Sequence, residues 1–75
     1  MRRLGEVIRA AQGVAVARSP DETAPEVGTA VLDESLDEVG EVVDVFGPVG
    51  RPYVAISPVD RRPATLVGEA VYARE

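Results

Sequence analysis

The strongest constraint on the fold is a valine-rich run that ends in a turn built of glycine and proline. Residues Val39–Phe46 read VGEVVDVF, with apolar side chains on both alternating faces. Valine and phenylalanine suit a pleated backbone, so the run predicts a strand that is covered on both faces. The next six residues, GPVGRP, contain two glycines and two prolines. They predict a stiff turn before a second strand that begins at Tyr53.

The rest of the chain shows the same alternation of short apolar runs with turn residues. One run is ambiguous, because Leu4, Val7, Ile8 and Ala11 also match the spacing of an amphipathic helix. Loops are expected over Ser19–Pro25 and Asp60–Thr65, where proline and polar residues cluster. The six predicted strands are Arg3–Arg9, Gly13–Arg18, Val27–Leu32, Val39–Phe46, Tyr53–Ser57 and Leu66–Tyr72.

Six short strands with no helix to cover them bury their apolar faces best by curling into a barrel. We therefore expect an all-β fold, a small closed or semi-closed six-stranded β-barrel that forms one domain over residues 1–75. A chain of this length supports one small core.

The composition removes most catalytic chemistry. The chain has no cysteine and no histidine, and all eight basic residues are arginine. Zinc sites built on Cys and His, a Ser-His-Asp triad and a lysine Schiff base are therefore impossible. The acid pairs Asp33/Glu34 and Asp37/Glu38 lie in a turn-like run, where a solvated surface is the better interpretation than acid–base or metal chemistry. We expect no enzymatic activity, no metal and no cofactor.

Charge is distributed unevenly along the chain. The net charge is −5, and the segment between Ser19 and Gly50 holds nine acids and no base. Such a surface repels phosphate, so binding of nucleic acid by this chain alone is not expected. Excess acid without lysine also fits a halophile or a GC-rich genome. The chain has no apolar run long enough to span a membrane. The N-terminus is basic, but Glu6 and Arg9 interrupt the apolar run that a signal peptide needs, so a cytoplasmic protein is expected.

The Gly/Pro turn is the best candidate for an interaction surface. A stiff turn loses little entropy on docking, and Phe46 and Tyr53 stand at its two ends. Tyrosine combines apolar area with a polar tip and is the better interface candidate, whereas Phe46 could equally plug the end of the barrel as core. The candidate partner-binding residues are Phe46, Gly47, Pro48, Val49, Pro52, Tyr53 and Val54.

The turn also matches the G-x-x-G loop with which KH domains clamp a nucleic-acid backbone. The clamp needs free backbone N–H groups and flanking helices, whereas Pro48 removes one N–H group and the flanks of Gly47–Gly50 are strand-like. The match is therefore weak.

With these features the chain resembles the Gar subunit of H/ACA ribonucleoproteins, the particles that convert uridine to pseudouridine at guide-selected sites. The most specific part is the run from Val39 to Val49 followed by Pro52-Tyr53-Val54, and the likeness extends over nearly the whole chain. The other matching segments are Arg3-Leu4-Gly5, Gly28–Asp33 and Leu66–Tyr72.

The resemblance implies a non-catalytic six-stranded barrel that docks on the catalytic domain of the pseudouridine synthase subunit. It implies assistance in placing and releasing substrate RNA during rRNA modification, contact with the guide RNA only indirectly, and a monomer when free. Two features depart from the family. The Gly/Arg-rich tails of eukaryotic members are missing, which favours an archaeal-type core, and Gly50-Arg51 stands where a lysine is expected.

Three other classes of protein are alternatives to this one. A PRC-barrel adaptor in ribosome or rRNA maturation fits the rhythm of Val31–Asp33 and Val39–Val45, but its pattern lacks the Phe46–Val49 turn and Pro52-Tyr53. A barrel of the OB type that binds single strands needs more aromatic residues and a basic groove. A small enzyme is the least favoured, because the chain lacks the usual catalytic residues.

Overall fold

A computed structural model describes residues 1–74. It contains six strands, and each of the six predicted runs overlaps one of them. A short 3₁₀ helix lies between the last two strands. The strands are β1 (Arg2–Ala11), β2 (Val14–Arg18), β3 (Ala30–Leu32), β4 (Glu38–Phe46), β5 (Tyr53–Pro58) and β6 (Ala70–Ala73), and the 3₁₀ helix is Pro63–Leu66.

The strands close into a barrel in which every neighbouring pair is antiparallel. Their order around the barrel is β1-β2-β5-β4-β3-β6, and β6 pairs back with β1. The predicted all-β, six-stranded closed barrel is thereby confirmed. Closure also removes the free sheet edges that would otherwise invite unwanted strand pairing.

Bulges in β4 explain why its apolar residues appeared to occupy both faces. One extra residue, Val39, lies opposite β3, and a second, Val43, lies opposite β5. Each bulge breaks the two-residue alternation. The inward side chains are therefore three residues apart: Val39 and Val42 are fully buried, and Val45 packs against the core. The predicted strand is right, but the prediction that both its faces are covered is wrong, since Val43 and Phe46 lie exposed outside the barrel.

Bulges also explain why the N-terminal residues matched both a strand and a helix in sequence. Residues Arg2–Ala11 form a strand, with an extra residue at Leu4 against β6 and another at Ile8 against β2. Leu4 and Val7 are buried three residues apart, whereas Ile8 is exposed. Two bulges thus give a strand the apolar spacing that usually indicates a helix.

The end of the chain differs from the prediction. The last strand starts at Ala70 and not at Leu66, because Pro63 opens the 3₁₀ helix and Gly68 turns the chain with a φ of 91°. Leu66 ends that helix and is completely buried in the barrel core. Leu66 therefore belongs to the core and is not part of the sheet.

The core consists of small and branched side chains, and none of its members is aromatic. They are Leu4, Val7, Ala15, Ala17, Val31, Val39, Val42, Val54, Ile56, Leu66, Val71 and Ala73. β2 supplies two alanines to this core, and its neighbour β1 approaches closely at Gly5, where a side chain would collide with the Arg18 carbonyl oxygen. No helix among residues 1–74 is long and apolar enough to cross a membrane.

Candidate docking surface

The Gly/Pro turn joins β4 to β5, and its two aromatic residues form a stack on the outside of the barrel. Phe46 and Tyr53 are the last paired residues of these strands. Their ring centroids lie 5.5 Å apart with an angle of 29° between the planes. Phe46 is 39% exposed and Tyr53 is half-buried. Of the two predicted roles for Phe46, the structure supports a surface position, because Phe46 is exposed and is not among the core residues.

Gly47 is the residue that allows the aromatic stack to form. Its φ is 92°, a conformation that side-chain-bearing residues rarely adopt. A Cβ atom placed on Gly47 would lie 2.6 Å from Cδ2 of Tyr53. The Tyr53 ring therefore packs directly on the backbone of the turn, which restricts the orientation of the ring.

The far side of the turn is tied to the end of β2 through Ser19. The Ser19 N–H donates to the carbonyl oxygen of Pro52 at 2.9 Å, and Nε of Arg51 donates to the carbonyl oxygen of Ser19 at 3.1 Å. Ser19 itself is buried, with its hydroxyl oxygen 2.8 Å from the Asp21 carbonyl oxygen and 2.9 Å from that of Thr23. These contacts fix two loops against each other, so the turn is braced at both ends.

Arg18 lies beside the aromatic stack on the neighbouring strand, β2. On the outer face, Glu6, Arg18, Tyr53 and Phe46 form a continuous cross-strand row over β1, β2, β5 and β4. Cζ of Arg18 lies 5.2 Å from the Tyr53 ring centroid, a distance that permits a cation–π contact. Nε of Arg18 is buried and has no hydrogen-bond partner among residues 1–74. A buried donor without an acceptor costs about 1–3 kcal/mol.

A shallow groove lies beside the stack in the next cross-strand row. Val16 and Ala55 pair with each other and are almost fully buried, yet neither belongs to the core cluster, so they form the floor of the groove on the outer face. Arg9 borders the groove from β1, while Val43 and Phe46 border it from β4, around a volume of about 480 Å³. The bulge at Val43 leaves this apolar side chain exposed, and it lines the groove together with Phe46.

The structure brings most of the predicted site residues together. Phe46, Gly47, Pro48 and Val49 are exposed, Val49 to 89%, and Tyr53 is half-buried beside them. Pro52 is buried and acts through its carbonyl group, as described above.

Val54 requires a correction. Its side chain is fully buried in the core because strand alternation after Tyr53 turns it inward, so it supports the site from below and offers no contact area. We use the name docking surface for Arg18, Phe46, Pro48, Val49 and Tyr53 together with the groove.

Sequence reasoning missed Arg18, Val16 and Val43. The alternation of Val14–Arg18 does place Val16 and Arg18 on the face opposite the core alanines, and that signal was present in the sequence. The pairing of β2 with β5 is not readable from it, since 34 residues separate Arg18 from Tyr53, its cross-strand partner. Val43 was hidden by the bulge.

A larger cavity of about 650 Å³ lies elsewhere, between β1, β6 and the loop before β3. Its lining mixes Arg2 and Arg74 with Glu26 and small residues. Its lining has no aromatic side chain and carries charges of both signs. The docking surface is therefore the better candidate for recognition, because its apolar groups are already fixed in place.

Comparison with known proteins leaves the family of this chain open. No protein-family model matches it. A stretch of 50 residues is 36% identical to an uncharacterized protein of Methanocaldococcus jannaschii, and it covers 67% of this chain and 58% of that protein. The matched part thus spans little more than half of the relative's length.

Proposed function

We propose that this chain is a non-catalytic subunit of an H/ACA ribonucleoprotein. In this role the barrel docks on the catalytic domain of the pseudouridine synthase and aids placement and release of substrate RNA during rRNA modification. The observation that carries the proposal is the Phe46–Tyr53 stack, held on a glycine/proline turn outside the barrel. Such a rigid, half-exposed aromatic pair is typical of the anchor of a protein interface.

The position of the motif supports the proposal. The run that resembles the Gar family most closely, Val39–Val49 with Pro52-Tyr53, coincides with β4, the turn and the start of β5. The barrel core is already filled by other residues, so packing of the interior gives no reason for the exposed Phe46, Pro48 and Val49. A docking role accounts for apolar side chains that folding leaves in water.

The charge of the chain supports docking on protein in preference to RNA. The net charge is −5, and Glu6 and Asp44 lie among the arginines of the docking surface, so this surface presents no continuous row of cations to a phosphate backbone. A single-strand binder of the OB type presents several exposed aromatic residues along a basic groove. Here two aromatic residues stack on each other, which leaves fewer ring faces for bases.

The test is co-elution. The protein is mixed with the H/ACA pseudouridine synthase of its source organism and passed over a gel-filtration column at low and at high salt. We expect a one-to-one complex, and in its presence faster multiple-turnover modification with little change in a single turnover. Separate elution at both salts, with a folded chain by circular dichroism, would contradict the proposal and favour a PRC-barrel adaptor in ribosome maturation.

A further inference from the structure

The cross-strand row on the docking surface contains one polar group whose bonding is incomplete. Arg18 lies between Glu6 and Tyr53 in this row, with its guanidinium against the Tyr53 ring. Its Nε–H is buried without an acceptor among residues 1–74. Buried donors in native proteins nearly always have a partner, so this exception needs a physical explanation.

The contrast with Arg51 makes the exception informative. Nε of Arg51 donates to the carbonyl oxygen of Ser19, so that arginine has a structural task in bracing the turn. Arg18 immediately precedes Ser19, yet its Nε has no such acceptor. Of these two arginines, only Arg51 uses its Nε in a hydrogen bond within residues 1–74.

We propose that the Arg18 guanidinium binds a carboxylate of the docking partner, an aspartate or glutamate side chain that reaches the rim of the aromatic stack. The inference rests on the proposed function, because it specifies the chemistry that the synthase presents to the same surface. A carboxylate matches the planar fork of an arginine with two parallel hydrogen bonds.

The setting of Arg18 favours such a contact. Stacking on Tyr53 restricts the side chain, so less freedom is lost when the carboxylate binds. The apolar rings and the groove exclude water around the ion pair, which strengthens a paired charge. A small movement of the Arg18 side chain on docking would let its Nε–H donate to the carboxylate of the partner. The buried donor would then no longer be unsatisfied.

A protein carboxylate is a better match than an RNA phosphate. Glu6 is the cross-strand neighbour of Arg18, and Asp44 lines the groove in the next cross-strand row, so acids are interspersed with the cations of the docking surface. An extended phosphate backbone is bound by several cations, whereas a single side-chain carboxylate can reach one guanidinium.

The test compares Arg18→Gln with Arg61→Gln by titration calorimetry against the purified synthase, free of RNA. Arg61 is a matched control because it is an exposed arginine in the loop between β5 and the 3₁₀ helix, outside the docking surface. We expect Arg18→Gln to weaken binding about 10- to 100-fold, and Arg61→Gln to weaken it less than about threefold. Arg18→Lys should recover only part of the loss, since an ammonium cannot make the paired contact.

The outcomes separate the two proposals. If the wild-type chain itself fails to bind the synthase, the proposed function is overturned and this inference with it. If the wild type binds and Arg18→Gln loses no more affinity than Arg61→Gln, only the carboxylate contact is overturned. A loss that appears only when guide or substrate RNA is present would assign Arg18 to a phosphate and would also overturn it. Melting curves of both variants check that the barrel is intact.

Discussion

Two turns of this barrel join antiparallel strands on either side of β4, and they are stabilised in opposite ways. The acidic turn, residues 33–37, is held by its own atoms, because Oδ1 of Asp33 accepts hydrogen bonds from the N–H groups of Ser35 and Asp37 at 2.8 and 3.0 Å. The aromatic turn, residues 47–52, is held by distant parts of the chain, the Tyr53 ring and Ser19.

The difference predicts different roles for the two turns if the proposed docking is right. A turn that satisfies its own backbone with one carboxylate can remain surrounded by water. A turn braced by tertiary contacts presents apolar side chains at fixed positions, which reduces the entropy lost on docking. Changes in the acidic turn should therefore affect local stability alone, while changes in the aromatic turn should affect binding.

The largest effect is expected from Gly47→Ala. The new Cβ would lie 2.6 Å from Cδ2 of Tyr53 on a backbone with a φ of 92°. We expect a loss of about 2–3 kcal/mol in the free energy of unfolding, together with weaker docking, measured by urea denaturation and calorimetry. Gly50→Ala is the control, since nothing lies within 4 Å of its Cβ position. Equal effects of the two changes would show that the Tyr53 contact is unimportant.

Tyr53→Ala should affect binding more than folding. The ring is half-buried and stacks outside the core, so about 1–2 kcal/mol of stability is expected to be lost and the barrel should persist. Removal of an aromatic anchor should weaken docking about 30-fold, as measured by calorimetry. Tyr53→Phe keeps the stack and should bind within about threefold of the wild type. Unfolding of Tyr53→Ala would instead assign the ring to the core.

Val49→Asp is a binding change without a folding change. Val49 is 89% exposed at the tip of the aromatic turn, so the melting temperature should stay within about 2 °C of the wild type. A charge placed in an apolar contact should weaken docking about tenfold. Val27→Asp, at a valine that is 66% exposed outside the docking surface, is the matched control. Equal losses from both variants would point to net charge and would contradict a local contact.

Asp33→Ala should give the smallest effect and the opposite pattern. Loss of the two hydrogen bonds to Oδ1 should lower the free energy of unfolding by about 1 kcal/mol, measured by urea denaturation, and leave docking unchanged. Glu34→Ala removes an exposed acid of the same turn and should stay within about 0.5 kcal/mol of the wild type. Weaker docking of Asp33→Ala would contradict the expectation that the acidic turn affects stability alone.

Local chemistry made much of this structure predictable. The valine runs and the prolines gave the strands and the turn, and closure follows from six strands that lack helices. What could not be predicted depends on pairing between distant segments. The bulges at Leu4, Ile8, Val39 and Val43 exist only relative to neighbouring strands, and they decided which faces were buried.

The part of the docking surface that comes from one continuous segment was predictable from the sequence, and the part that depends on strand pairing was not. Phe46, Val49 and Tyr53 are neighbours along the chain, so the turn itself identified them. Arg18 and Val16 reach the docking surface only because β2 pairs with β5. The inward direction of Val54 follows from strand alternation after Tyr53, a rule that could have excluded it from the contact residues.

Hydrogen exchange of the chain with and without the synthase distinguishes docking through the aromatic turn from docking elsewhere. We expect slower exchange on docking in the segments that contain residues 47–54 and β2, with no change in the acidic turn, residues 33–37. Slower exchange in the acidic turn, with the aromatic turn unaffected, would contradict the assignment of the docking surface.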